Sequence, residues 1–348
     1  MRQKLTNIIL DIAIDKGFKE IRVNSKRGIR NLVDLGAHFA KGRFQMDFYK
    51  MAQRMLEYED SSYYDLIFNT VNNVDNSILK RFGMNIGLNS WTYGANTIRD
   101  FEKNNGYNVP WTIIFDFVTP IKDPMDLLKL LDIIRQGKEM GIYTYMVFID
   151  KDFNEKENLF EIFNDNTDCA FFLFATPNSI EERDVEKIKE FKNLAFSIYM
   201  DNVDEEFLTL IGLLKENKCL YGIYSYYDNE NVDEILNNDW IEKVIKLNST
   251  YAFLISSNDC SEENIKKVSS YIKDTKTNQK YPIFLVDFFE DIKYVDTIIS
   301  VEPCFVGFLH DGKILLNSSD TFSKISFKET NLRDILSISM PKVGYLNI

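Results

Sequence analysis

Cysteine and histidine are scarce in this chain, and neither clusters. Its 348 residues hold four cysteines (Cys169, Cys219, Cys260 and Cys304) and two histidines, His38 and His310. The nearest pair, Cys219 and Cys260, is 41 positions apart, so there is no C-x2-C or C-x3-C clip. Zinc and iron sites draw mainly on these residue types, which argues against a built-in transition-metal site. Isolated thiols fit a reduced, cytoplasmic protein better than a disulfide framework. Glycine-rich phosphate loops are also missing. GKEMG (137–141) ends a helix, follows no strand and leads into no Lys-Ser/Thr pair. No Ser/His/Asp ordering marks a hydrolase. No apolar run approaches the roughly 18 residues that a membrane span needs. The opening segment, MRQKLTNIILDIAIDKGF, is interrupted by Asp11 and Asp15 and is followed by no small-residue cleavage site. It reads as an amphipathic helix, not a signal peptide.

What the chain has instead is apolar bulk and negative charge. Hydrophobic residues make up 45% of it, enough for the core of one or two domains. Fifty-three acidic residues against 41 basic ones leave a net charge of −12. Such a surface repels phosphate backbones and anionic lipid, so nucleic acid and membranes are poor partner choices.

The periodicity changes along the chain. Leu5, Ile8, Ile9, Ile12 and Ala13 recur at helical spacing, as do Leu32, Leu35, Ala37 and Phe39, then Phe48, Met51, Met55 and Leu56. Asp60-Ser61-Ser62 precedes YYDLIFNTV as a helix start, and Asp75 is placed to cap NSILKRFGMNIG. The turn-rich NNGYNVP (104–110) closes a helical region spanning 1–106. Seven apolar, β-rich runs follow: TIIFDF (112–117), YTYMVFI (143–149), CAFFLFA (169–175), AFSIYM (195–200), YGIYSYY (221–227), YAFLIS (251–256) and YPIFLVDFF (281–289). Their starts are 26 to 31 positions apart, the length of a strand, a helix and two loops. Amphipathic stretches such as MDLLKLLDIIRQGKEM and SEENIKKVSSYIK lie between them. Near-continuous apolarity is expected of parallel strands covered on both faces. The fold class is therefore α/β, with a partial parallel (β/α) barrel over 107–300. Residues 301–348, with the hairpin pattern VEPCFVGFLHDGKILLN turning at Asp311-Gly312, read as a short C-terminal extension packed on that barrel.

Several segments resemble a known family. NNGYNVPWTIIFDFVTP resembles the barrel entry of radical S-adenosylmethionine (radical SAM) enzymes of the SPASM-like subgroup, where an (I/V)PW precedes the first strand. IIRQGKEMGIYTYM is similar to that group's first helix and second strand, and NDCAFFLFATPNSI to its third strand. YPIFLVDFFEDIKYV with VEPC resembles the approach to its C-terminal cysteine-rich segment, and RFGMNIGLNSW its helical prefix. The resemblance implies a radical SAM scaffold without its chemistry. In the family, C-x3-C-x2-C after the first strand supplies three thiolates to a [4Fe–4S] cluster. Here Asp116-Phe117-Val118-Thr119-Pro120 leads toward MDLLKLL through a shortened loop with no cysteine, and Lys122 and Asp123 cannot replace thiolates. The family's Gly-Gly-Glu-Pro corresponds to Phe148-Ile149-Asp150-Lys151, and its Thr-Asn-Gly to Ala175-Thr176-Pro177-Asn178. Of the C-terminal cysteines only Cys304 remains.

Ligands of such barrels sit at the C-terminal ends of the strands. The polar residues placed there are Asp116, Thr119, Asp150, Lys151, Thr176, Asn178, Tyr199, Asp201, Tyr226 and Asp287, with Tyr227, Asp228, Ser256, Ser257 and Asn258 beside them. Helix capping and loop solvation account for most such groups. Asp116 and Asp287 stand out because each interrupts an apolar strand. His310 reads as an exposed turn residue and not as a general base. The expectation is a catalytically inactive, cluster-free scaffold with no cofactor and no catalytic residue. It would serve as an accessory or regulatory protein that binds a peptide, a protein or an active homologous enzyme, in a homo- or hetero-oligomer. One alternative is a non-radical enzyme in which Asp116, Asp150 and Asp287 act as acid/base groups or Mg2+ ligands. The other is a sensor of SAM or a nucleoside.

Overall fold

The structure is a computed structural model that describes residues 2–40, 43–118, 127–300, 302–316, 321–322, 326 and 328–342. Helices α1 (Arg2–Val23), α2 (Ser25–Phe39), α3 (Arg43–Met55), α4 (Tyr63–Asn73), α5 (Asn76–Met84) and α6 (Ala95–Asn105) form the first part of the chain, with a π-helix, Asn85–Gly94, between the last two. The start signals are used as expected. Ser61 Oγ accepts from Tyr63 N, and Asp75 caps α5 through Ser77 N.

Ten strands make one sheet, in the order β10-β9-β8-β1-β2-β3-β4-β5-β6-β7. The strands are β1 (Thr112–Asp116), β2 (Thr144–Ile149), β3 (Ala170–Ala175), β4 (Leu194–Tyr199), β5 (Tyr221–Tyr227), β6 (Tyr251–Ser256), β7 (Phe284–Asp287), β8 (Val306–Leu309), β9 (Ile314–Leu315) and β10 (Thr321–Phe322). Each of the seven runs read from the sequence contains a strand, though YPIFLVDFF (281–289) supplies only Phe284–Asp287, and from β8 to β7 every pairing is parallel. Helices α7 (Leu127–Met140), α8 (Lys156–Asp165), α9 (Glu182–Ile188), α10 (Glu205–Glu216), α11 (Val232–Leu236), α12 (Asp239–Ile245), α13 (Glu262–Thr277) and α14 (Phe288–Ile299) fill the crossovers, and α15 (Leu332–Ser339) packs on α7. The sheet ends at β7 and β10 without closing, which makes it a partial barrel. The stretch expected as an extension packed on the barrel also supplies strands to it. β8 pairs parallel with β1, Phe115 opposite Phe308, and then turns back antiparallel into β9.

The π-helix is held by amide side chains. Asn85 Nδ2 donates to the carbonyls of Thr167 (3.0 Å) and Cys169 (2.7 Å), and Asn89 Nδ2 to that of Asp168 (2.8 Å). These bonds satisfy the loop before β3 and offset the wider, less favourable helical turns. Gly94 and Gly141 make the contact possible. A Cβ on Gly94 would lie 2.3 Å from the Gly141 carbonyl oxygen, and Gly141 itself has φ +101°.

A second buried polar knot joins α6, α14 and the lead into β8. Glu102 accepts from Val109 N (2.9 Å), from Ser300 Oγ (2.7 Å) and from Lys342 Nζ (3.1 Å). Asp296, with 0% exposure, accepts from Cys304 N, while its Oδ1 has no hydrogen-bond partner. Burial pushes its carboxyl up to about 8, against the Cys304 and Trp111 N–H groups and with the help of Glu102.

Candidate functional site

The C-terminal ends of the strands are closed by aromatic rings. Phe148 of β2 and Phe174 of β3 stack in parallel, centroids 4.2 Å apart at 10°. Tyr224 of β5 and Phe288 at the start of α14 meet both rings, and Phe253 of β6 meets Phe174 at 5.1 Å. Contacts from β2 and β3 to β6 and α14 are possible only because the sheet curls, so these rings fill its interior. Just beyond β1, Phe117 is 2% exposed; its N–H donates to the Phe148 carbonyl (2.9 Å). Its ring stacks on Phe153 at 5.5 Å and 6°, with the His310 ring 5.2 Å away. Offset and edge-on rings of this kind add to the gain from area burial.

Above this packing sit two of the expected carboxylates. Asp116 ends β1 half-buried, its Oδ1 accepting from Val118 N (3.0 Å) and its carbonyl from His310 N (2.9 Å). Burial raises the Asp116 carboxyl, the Val118 N–H opposes this, Asp150 raises it further and His310 lowers it. Asp150, after β2, has the same local arrangement, with Oδ1 accepting from Asp152 N (3.0 Å). Each carboxylate thus gives one oxygen to a backbone turn. Tyr199, Tyr224 and Tyr226 form the neighbouring wall, with Tyr199 5.3 Å from Tyr224 and 5.8 Å from Tyr226. Tyr226 is 38% exposed; desolvation raises its phenol, followed by Asp116 and Tyr199.

Of the remaining expected residues, Asp201 and Asp228 come close enough to raise the Tyr199 phenol, after burial, and the others do not join this group. Thr176 Oγ1 donates to Asn178 Oδ1 (2.8 Å) in the turn after β3. Lys151 and Asp201 are exposed, and Asp201 accepts from Asn202. Asp228 accepts from Glu230 N and Asn231 N in its own loop. Ser256 is buried at the end of β6, Ser257 donates its N–H to the Tyr227 carbonyl, and Asn258 is exposed. Asp287 caps α14 through Glu290 N and accepts from Ser269 of α13; burial pushes its carboxyl up to about 6. Its role is that of a helix cap, so the three carboxylates do not converge. Thr119 lies outside the described residues. His310 was expected to be an exposed turn residue, yet it is half-buried against Phe117 and linked to Asp116. The parallel pairing of β8 with β1 brings it there, and a hairpin pattern alone does not reveal that pairing.

The cysteines are dispersed and buried. Cys169, Cys219 and Cys304 precede β3, β5 and β8 and so lie at the N-terminal ends of the strands, whereas Cys260 follows β6. Burial holds all four thiols above the usual range, Cys219 at about 12. A three-thiolate cluster at the end of β1 does not fit this donor set. Among the described residues, no group of three His, Cys, Asp or Glu side chains is placed to hold a metal ion, and no helix is long and apolar enough to cross a membrane.

No protein-family model matches the chain, and no curated protein is significantly similar to it. Solved structures do share its fold. SuiB of Streptococcus suis bound to S-adenosylmethionine is 13% identical with a TM-score of 0.51, over 68% of this chain and 66% of that one. SuiB on its own gives 12% and 0.50, over 93% and 77%. SuiB bound to the precursor peptide SuiA gives 12% and 0.49, over 68% and 66%. In the complex with S-adenosylmethionine the match spans just under two thirds of SuiB. At these identities the likeness is one of fold: a partial parallel barrel of the radical SAM type.

Proposed function

We propose that this chain is a catalytically inactive member of the radical SAM superfamily that works by binding, as an accessory or regulatory protein for a peptide, a protein or an active homologous enzyme. The observation that carries the reading is the ring-filled interior. Phe148, Phe174, Tyr224, Phe253 and Phe288 fill the interior of the curled sheet, and Phe117 packs against Phe153 and His310 where the resemblance places the cluster loop. The dispersed thiols support the same conclusion, and the Asp116–Pro120 segment has no cysteine. Tyr199, Tyr226, Asp116, Asp150 and Lys151 remain at the rim as the surface a partner would meet. Tyr226 offers an exposed phenol on a rigid aromatic base, a residue type favoured at recognition surfaces. The four unpaired thiols fit a cytoplasmic protein.

Iron and acid-labile sulfide, measured after anaerobic expression and reconstitution, test the reading directly. Background iron is expected, together with no 5′-deoxyadenosine from S-adenosylmethionine and a strong reductant. A stoichiometry of about four irons per chain would end it. The proximity of Asp116, Asp150 and His310 favours a second reading, in which the rim performs non-radical acid/base or Mg2+-assisted chemistry. Calorimetric titration with Mg2+ separates the two: an uptake abolished by Asp116→Asn supports the second reading, and no heat removes its metal-assisted form.

A further inference from the structure

A cavity of about 280 Å3 lies at the opposite end of the barrel, between the last turn of α4 and the segments that lead into β5, β6 and β7. Its apolar lining includes Val74, Tyr221, Ile245 and Pro282. Its exposed polar lining is rich in side-chain donors. Asn69 and Asn73 come from α4, Asn248 from the loop before β6, and Lys215 and Lys218 from the end of α10 and the turn after it. No carboxylate lines it, in a chain with 53 acidic residues. Neither lysine has an acidic partner among the described residues, although most lysines of the barrel helices do.

The framework around the cavity is fixed. Asp75 N donates to the Lys218 carbonyl (2.9 Å), tying α5 to the β5 approach, and the Tyr221 hydroxyl donates to the Leu247 carbonyl (2.7 Å). Within this frame Ser249 lines the cavity at 5% exposure, and its Oγ has no hydrogen-bond partner. Buried hydroxyls are nearly always paired, so an unpaired one lining a cavity points to a group that comes from outside. Cys219, also in the lining, is buried and stays a protonated thiol, so the cavity offers no thiolate. The lysines sit near a helix C-terminus, where they also complement the helix dipole. That role does not explain the unpaired hydroxyl or the amides opposite.

We infer that this cavity is a binding site for a small organic phosphate. The dianionic head group lies between Lys215 and Lys218 and accepts from Ser249 Oγ. The Asn69, Asn73 and Asn248 amides pair with its polar substituents, and its apolar body rests on Val74, Tyr221 and Pro282. Two ammonium groups match a dianion better than a single carboxylate. The size is that of a small metabolite, near the lower end of ligand pockets. The site is at the strand N-termini, so it is independent of whatever the rim binds.

Phenyl phosphate is a suitable probe because it combines the dianion with a flat apolar body. Calorimetric titration of the full-length protein at low salt is expected to show one site. Lys215→Gln/Lys218→Gln should weaken it at least about tenfold, and Ser249→Ala by a smaller factor. Raising salt from about 50 to 500 mM should weaken it further. Lys267→Gln, on the exposed face of α13, should leave binding unchanged, and unchanged thermal melting of each variant shows that folding is intact. Absence of heat with both phenyl phosphate and inorganic phosphate up to about 10 mM would overturn the proposal. So would binding that is indifferent to the double substitution. Benzoate binding as tightly as phenyl phosphate would overturn the assignment of a dianionic head group.

Discussion

Replacing Asp296 with asparagine should make this protein more stable at neutral pH and almost unchanged in mild acid. Asp296 is fully buried, one oxygen accepts from Cys304 N, the other has no partner, and Glu102 adds a like charge. Its carboxyl moves from 3.8 to about 8. A raised acid pKa means that the folded state holds a proton which the unfolded chain releases above about pH 4. Stability is therefore complete below that pH and declines as the pH rises toward 8. At about 1.4 kcal/mol per unit, the full interval is worth at most about 6 kcal/mol, and roughly 4 of that is already lost by pH 7. Relaxation and water entry reduce such figures, so a gain of about 1–3 kcal/mol for Asp296→Asn at pH 7.5 is the working value. The amide oxygen can still accept from Cys304 N. Urea unfolding of both proteins from pH 4.5 to 8.5 reads the difference, and subtraction removes the other titrating groups, Asp287 among them. The two curves should converge toward about pH 4 and separate steadily above it. Parallel curves, or a variant less stable at every pH, would show that Asp296 is ionised in the fold and that the knot prefers its charge.

The ring-filled interior makes Phe174→Ala costly. It should lose about 3–5 kcal/mol in urea unfolding and leave a dry hole that takes up xenon in crystals; a loss below about 1 kcal/mol would show that the rings are loosely packed. Asn85→Ala strips the hydrogen bonds from the Thr167 and Cys169 carbonyls. It should cost about 2 kcal/mol and speed hydrogen exchange before β3, whereas unchanged exchange there would mean that the π-helix is held by something else. Gly222 of β5 makes room for the Tyr251 ring, since a Cβ there would lie 2.2 Å from it. Gly222→Ala should therefore lower stability by about 1–3 kcal/mol and be partly rescued by Tyr251→Leu. Equal melting temperatures for Gly222→Ala and wild type would refute the contact.

The strands were legible because parallel strands buried on both faces write themselves as short apolar runs, and the interval between runs gave the crossovers. Three features were not legible, for physical reasons. YPIFLVDFF (281–289) is continuous in hydrophobicity, but Asp287 caps a helix, so the strand stops there and Phe288 opens α14. VEPCFVGFLHDGKILLN has the alternation of a hairpin and folds as one, yet its first strand also completes the parallel sheet beside β1. That long-range pairing leaves no local trace, and it puts His310 next to Asp116. The π-helix depends on Asn85 and Asn89 reaching carbonyls roughly 80 positions away, which a window of neighbouring residues does not contain. At the rim, residue type predicted chemistry poorly. Asp116, Asp150, Asp228 and Asp287 all accept from backbone N–H groups two or three positions ahead, as aspartates after strands commonly do.

That shared habit bears on what the rim can do. A carboxylate that acts as a base or holds a cation needs free lone pairs directed into a common space. Asp116 and Asp150 each commit one oxygen to their own turn, and Asp287 is turned toward Ser269 and the start of α14. Beneath them, rings occupy the volume where a reacting substrate would sit. A binding surface makes no such demand. It needs a rigid base, an exposed amphipathic anchor and charges near it. In the proposed binding surface, the Phe148–Phe174 stack with Tyr224 would be the base, Tyr226 the anchor, and Asp116 and Asp150 the charges. Tyr226→Ala should accordingly weaken capture of a partner by about tenfold or more while leaving the melting temperature nearly unchanged, because its ring is partly exposed. If the substitution instead lowers stability as much as Phe174→Ala does, Tyr226 belongs to the interior packing and the recognition surface lies elsewhere.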